Sequence, residues 1–204
     1  MDKPATGEAL QLGSDEELAW RLSLLGPTET SRGVFFNSVL EVVQHLGSEE
    51  AVRRCLEVCG ESRFLDFFNY PFSTYIKAIY TAARFLSERY GGFEGAVWQM
   101  GYQAARSFYA SPTGRVVLLM SHGDPKRLLN TLPTASRTTS STVEGSVWLT
   151  GPTSGVLRFK NDYMPRPYNA GALQATFESA NVKGVKVQVR PVGPLDTEYE
   201  IFWT

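Results

Sequence analysis

The sequence predicts an α+β fold, with a helical N-terminal two-thirds packed on one face of an antiparallel sheet formed by the C-terminal third. Three observations carry this. Apolar residues recur three and four apart through most of the chain as far as Leu132. After Asn181-Val-Lys-Gly184 the period drops to two: Val185, Val187 and Val189 alternate with Lys186, Gln188 and Arg190, and Tyr199, Ile201 and Trp203 alternate with Glu198, Glu200 and Phe202. One face is apolar and the other mostly charged, the pattern of an antiparallel sheet buried on one side. Between these regions, Thr150-Gly-Pro-Thr-Ser-Gly155 separates Val147 and Leu149 from Leu157 and Phe159, which reads as a strand pair around a turn.

Residues 1–13 read as a flexible tail, leaving 14–204 as one α+β domain. Leu18 to Leu25 fits a short helical turn and a strand equally well. Ser31 is placed to cap a helix from Val34 to Leu46, whose apolar residues spread over most of its circumference. Gly47 ends it, and Ser48-Glu-Glu opens a shorter helix through Cys59. Phe64 to Tyr75 is an aromatic knot. Pro71 fits a helix start, with Phe72, Ile76, Ile79, Ala83, Leu86 and Tyr90 along one face. Gly91-Gly92 breaks that helix before another, Phe93 to Tyr109, in which Gly101, Ala104 and Ala105 leave room for close helix approach.

Arg115 to Met120 is apolar enough for a buried helix or strand. Asp124-Pro125 resembles an N-cap followed by proline at the first helical position, opening a helix through Leu132. The β-branched and small polar run Thr134 to Thr142 then leads toward a strand. Met164-Pro-Arg-Pro167 forces an extended connector, and Tyr168 to Ala180 carries Leu173 and Phe177 at helical spacing. Charge pairing in the closing hairpin predicts its register: Arg190 opposite Glu198, Gln188 opposite Glu200, and Val187 opposite Ile201.

Bulk properties narrow the function. With 20 basic and 21 acidic residues mixed along the chain, no concentrated positive charge calls for nucleic acid or a membrane surface. No apolar run approaches the roughly 20 residues that span a bilayer, and the N-terminus lacks signal-peptide features, so a cytoplasmic setting is expected. Cys55 and Cys59, four apart in a helix, are poorly placed for a disulfide, which agrees with a reducing compartment.

Several stretches, in order, resemble a family of domains of about this length and without assigned activity, expanded in myxobacteria (DUF2378-like). They are Arg32-Gly-Val-Phe-Phe-Asn-Ser-Val-Leu, Phe67-Phe-Asn-Tyr-Pro, Arg89-Tyr-Gly-Gly-Phe, Gly123-Asp-Pro with Leu129-Asn-Thr-Leu-Pro133, and Gly193-Pro-Leu-Asp-Thr-Glu-Tyr-Glu-Ile-Phe-Trp203. The order of helices, strand pair, helix and strand pair is also similar to the fold of haem-based nitric-oxide sensors, vinyl-reductase-type ligand-binding domains and TRAPP-type vesicle-tethering subunits. In the haem branch a histidine binds iron from a helix late in the helical half. The comparable stretch, Leu128 to Arg137, has none, so the resemblance implies no haem here.

The chemistry-bearing residues read mostly as structural. His45 lies near a helix end, where a protonated ring suits the carbonyl terminus. His122 sits beside Ser121 and Asp124, but no nucleophile-elbow pattern surrounds any serine. Cys55 and Cys59 make half a zinc site, and no second pair completes it. Gly91-Gly92 lacks the lysine and preceding strand of a phosphate loop.

The aromatic set Phe68, Tyr70, Tyr75, Tyr80, Trp98 and Tyr102 is the one functional candidate, since polar ring tips around an apolar space build small-molecule pockets. The expectation is therefore a non-enzymatic regulatory or sensory binding domain, with a small apolar ligand held between helices and sheet. No cofactor, metal, nucleic acid or membrane is expected. The alternative is an interaction adaptor with a solid core. In either case the helical face serves a homodimer or a protein partner.

Overall fold

Ser14 takes up extended backbone and its hydroxyl accepts the Glu17 N–H, which starts α1 (Asp15–Ser23) with three acids in its first turn. The segment that fits helix and strand equally in sequence is thus a helix. The computed structural model describes residues 10–139 and 143–204. The expected tail therefore lies outside the described residues as far as residue 9.

Two three-residue strands, β1 (Thr30–Arg32) and β2 (Asn69–Pro71), pair antiparallel with Ser31 opposite Tyr70. Ser31 is thus a strand residue, correcting its expected role as a cap. α2 (Gly33–Leu46) instead starts from Arg32 without a side-chain cap. Its first amides are satisfied by a neighbouring loop: Gly33 N–H donates to the Phe68 carbonyl at 2.9 Å and Val34 N–H to the Asp66 carbonyl at 3.1 Å. A side chain at Gly33 would collide with the Leu65 carbonyl, so the approach needs glycine.

α3 (Glu49–Cys59), capped by Ser48, ends at left-handed Gly60. α4 (Phe72–Leu86) buries Ile76, Ile79, Tyr80, Ala82, Ala83 and Leu86 along one face. It stops four residues before the expected Tyr90. α5 (Phe93–Ala110), α6 (Pro112–Ser121) and α7 (Pro125–Thr139) follow. α7 runs past Pro133 into the stretch expected to be extended. Its buried Leu128, Leu129 and Leu132 hold it against the sheet, so packing outweighs β-propensity there. Residues 140–142 lie outside the described residues.

The sheet comprises β3 (Glu144–Gly151), β4 (Ser154–Lys160), β5 (Lys186–Pro191) and β6 (Thr197–Phe202), in the order β3-β4-β6-β5. Every neighbouring pair is antiparallel. The β5–β6 register is the expected one: Arg190 faces Glu198, Gln188 faces Glu200 and Val187 faces Ile201. α8 (Arg166–Ser179) lies in sequence between β4 and β5. Leu157, Phe159, Tyr199 and Ile201 from one face of the sheet pack with α7 and with Leu173 and Phe177 of α8. The chain is thus an α+β protein, with its antiparallel sheet formed by the C-terminal strands.

The chain divides into two compact units, Met1–Val97 and Trp98–Thr204, so the boundary falls inside α5.

Candidate functional site

In the unit Met1–Val97, α2 and the β1–β2 ribbon assemble a ring cluster. Phe36 is its hub, with Phe64 stacked at 4.3 Å, Tyr70 tilted at 5.5 Å and Tyr75 edge-on at 5.0 Å. Phe64 and Tyr70 also meet edge to face at 4.9 Å, an arrangement favoured by the ring quadrupoles. The Tyr70 hydroxyl accepts the Leu65 N–H at 3.0 Å, and Asn37 donates to the Phe64 carbonyl and to Asp66. Together these bonds hold the loop that carries the rings.

Ser31 completes this site, and sequence reasoning missed it. It is 4% exposed, and its Oγ has no hydrogen-bond partner among the described residues. Residues directly opposite on paired strands share a face. Its hydroxyl therefore lies on the same side of the ribbon as the Tyr70 ring. A buried hydroxyl left unpaired costs roughly 1–3 kcal/mol. Nothing in the sequence marks it, because a serine before an apolar run has the signature of a helix cap.

The six aromatic candidates fall in different surroundings. Tyr70 and Tyr75 join the Phe36 cluster, while Phe68, on the loop entering β2, is 61% exposed. Tyr80 is fully buried, and its hydroxyl donates to Glu17, which also takes the Arg21 guanidinium at 2.8 Å. Burial, more than the nearby charges, drives the Tyr80 phenol strongly upward, so it stays protonated. In the unit Trp98–Thr204, Trp98 and Tyr102 stack at 5.1 Å on one face of α5. The Tyr102 hydroxyl donates to Glu178 of α8 at 2.6 Å, which raises its pKa. Gly101 and Gly171 let α5 and α8 meet closely: a Cβ on Gly101 would strike the Tyr168 carbonyl, and one on Gly171 the Trp98 carbonyl.

The remaining chemical candidates are dispersed. The His122 Nδ1 lies 3.0 Å from the Met120 carbonyl, Ser121 donates to the Leu118 carbonyl, and Asp124 accepts the Lys126 N–H. Those contacts leave the three side chains unlinked as a relay. Cys55 and Cys59 are free thiols against α4, near the Ala78 and Thr74 carbonyls. Burial pushes them up to about 12 and about 11 respectively, so both are protonated near neutral pH. Among the described residues no group of three His, Cys, Asp or Glu side chains is arranged to hold a metal. No helix there is long and apolar enough to cross a membrane.

The chain belongs to the family described as Protein of unknown function (DUF2378), which matches residues 25–204. No curated protein matches it. Among solved structures it is similar to the Fe(II) unliganded H-NOX protein of K. algicida (TM-score 0.67, 16% identity, 85% of this chain and 96% of that one). It is likewise similar to a mutant H-NOX of T. tengcongensis (TM-score 0.64, 12% identity, 85% and 97%). A third is an oxygen-binding H-NOX domain related to soluble guanylate cyclases (TM-score 0.60, 11% identity, 85% and 95%). These likenesses establish a shared fold.

Proposed function

We propose that this chain is a non-enzymatic sensory or regulatory binding domain that receives a small apolar or amphipathic molecule at the Phe36 ring cluster. The observation that carries this reading is the orphaned Ser31 hydroxyl beside Tyr70. A ligand with one polar group among apolar atoms would satisfy it and lie against the rings. In this unit Phe68, Tyr70 and Tyr75 form the ligand wall. Phe68 stands open to the incoming molecule, whereas Tyr80, fully buried with its hydroxyl on Glu17, presents no open surface to it. Trp98 and Tyr102 form a second aromatic pair open to the same class of ligand. The fold similarity supports a binding role, since one such relative is described as oxygen-binding and another as Fe(II) unliganded.

Haem is not the group these residues fit. His45 and His122 are both exposed, the second on a left-handed turn. Among the described residues the buried face of α7 offers only leucines, and the Cys55 thiol is held protonated against the Ala78 carbonyl. Haem iron needs an imidazole, thiolate, thioether or phenolate directed at it. The two free thiols accord with a cytoplasmic setting.

Native mass spectrometry of the purified protein tests the proposal. A co-purifying small molecule is expected in the wild type and lost in Ser31→Ala with Tyr70→Phe. A wild type that carries no such molecule overturns it. The second reading, an interaction adaptor with a solid core, is favoured by Phe67 and Phe68, adjacent on the loop entering β2 and 90% and 61% exposed. Sedimentation velocity and native mass spectrometry together distinguish it: this reading expects a dimer that replacing both rings by serine converts to a monomer, and no co-purifying small molecule.

A further inference from the structure

α6 is turned outward. Its inward side is Gly114 and Ser121, both buried, and a Cβ on Gly114 would strike the Phe108 carbonyl. Its apolar residues face solvent: Val116, Leu119 and Met120 are 57%, 73% and 69% exposed. At i, i+3 and i+4 they form one continuous stripe. Where α6 ends, an open groove of about 410 Å³ separates it from the end of α8. Leu118, Leu119 and Ala180 give it apolar walls, and Arg115, His122 and Asn181 stand around it with polar groups.

The segment that carries this stripe is one-sided in charge, and of its charged side chains Arg115 lines the groove. Between Arg106 and Arg127 stand four basic residues, Arg106, Arg115, Lys126 and Arg127, against a single acid, in a chain of net charge −1. That acid, Asp124, is engaged by the Lys126 N–H and lies 3.6 Å from Arg127. Glu178, next to the groove in sequence, is engaged by Tyr102 and Gln174. A second copy would bring its own Arg115 against this one with no acid among the described residues at the groove to pair with either, which disfavours symmetric pairing here. A bilayer accepts a protruding stripe but leaves a concave groove unfilled.

We infer that this surface docks an acidic amphipathic helix of a partner protein. Its apolar side chains would lie along Val116, Leu119 and Met120, one of them entering the groove, with carboxylates received by Arg115 and His122. This site is independent of the ring cluster and of any small ligand held there.

The experiment is a display selection of random peptides long enough for four helical turns against the full chain, with counter-selection against a Leu119→Asp, Arg115→Glu variant. Both positions are exposed, and circular dichroism confirms that the variant is folded. The expected result is an enriched pool of acidic sequences with apolar residues three and four apart. Individual members should bind the variant at least about tenfold more weakly and lose affinity as salt rises. Four outcomes would overturn the inference: no enrichment, an enriched pool that is neutral or basic, or enrichment indifferent to the two substitutions. The fourth is co-sedimentation of the wild type with vesicles containing phosphatidylserine, or its self-association, abolished by Leu119→Asp; either would assign the stripe to a membrane or a second copy.

Discussion

Glu17 and Arg21 are charged residues on a short helix, yet they are 2% and 4% exposed, while Leu18 and Leu22 beside them are only partly buried. The pair is sustained by additional donors: Tyr80 and the Gly13 N–H both reach the Glu17 carboxylate. Removing one charge strands the other in a dry site. Arg21→Met is therefore expected to cost about 3–5 kcal/mol in urea unfolding, whereas Glu17→Met with Arg21→Leu should recover most of the loss. Ser31 makes the opposite prediction. Its hydroxyl contributes no bond within the described chain, so Ser31→Ala in ligand-free protein should be neutral or stabilising by up to about 1 kcal/mol, read by the same measurement. Cys55 sets a pH dependence. Its folded-state pKa, about 12, lies above the unfolded value of about 8.5, so the unfolded state releases the proton first. Stability from this thiol is complete below about pH 8.5 and falls by about 1.4 kcal/mol per pH unit above it, a share of the slope that Cys55→Ala should remove while that of Cys59, raised to about 11, remains.

At the scale of elements, the closing hairpin was legible because period two and charge pairing both report register, and both agree with Arg190 facing Glu198. α6 was legible as an apolar segment but not in direction: an apolar stripe shows that a face is shared, while only the fold decides which way it turns. The β1–β2 ribbon was invisible, since three residues per strand are too few for a period. Thr134 to Thr139 misled through composition. Local preference for strand spans only about 1 kcal/mol, less than the burial of the three α7 leucines that precede it. The rings of the candidate site were legible one by one, but their division among the Phe36 cluster, Glu17 and α5 depends on contacts distant in sequence. The crossing of α5 and α8 gives a further test. Gly101→Ala and Gly171→Ala each place a methyl against a backbone carbonyl, and each should lower stability by at least about 1–3 kcal/mol in thermal unfolding.

For the whole molecule, the division into Met1–Val97 and Trp98–Thr204 runs through a single unbroken helix, α5. We expect residues 14–204 to unfold in one transition, because the boundary between the units falls within one continuous helix. Differential scanning calorimetry checks this: calorimetric and van't Hoff enthalpies should agree, and two resolved peaks would refute it.

The strand order has a consequence for how this sheet comes into being. β6 is the last strand in sequence and lies between β4 and β5. A nascent chain can form the β3–β4 hairpin early, yet β5 has no strand to pair with until β6 emerges from the ribosome. Loss of Thr197–Thr204 would therefore cut the sheet through its middle, stranding β5 and uncovering Leu157 and Phe159, where loss of an outer strand would only narrow it.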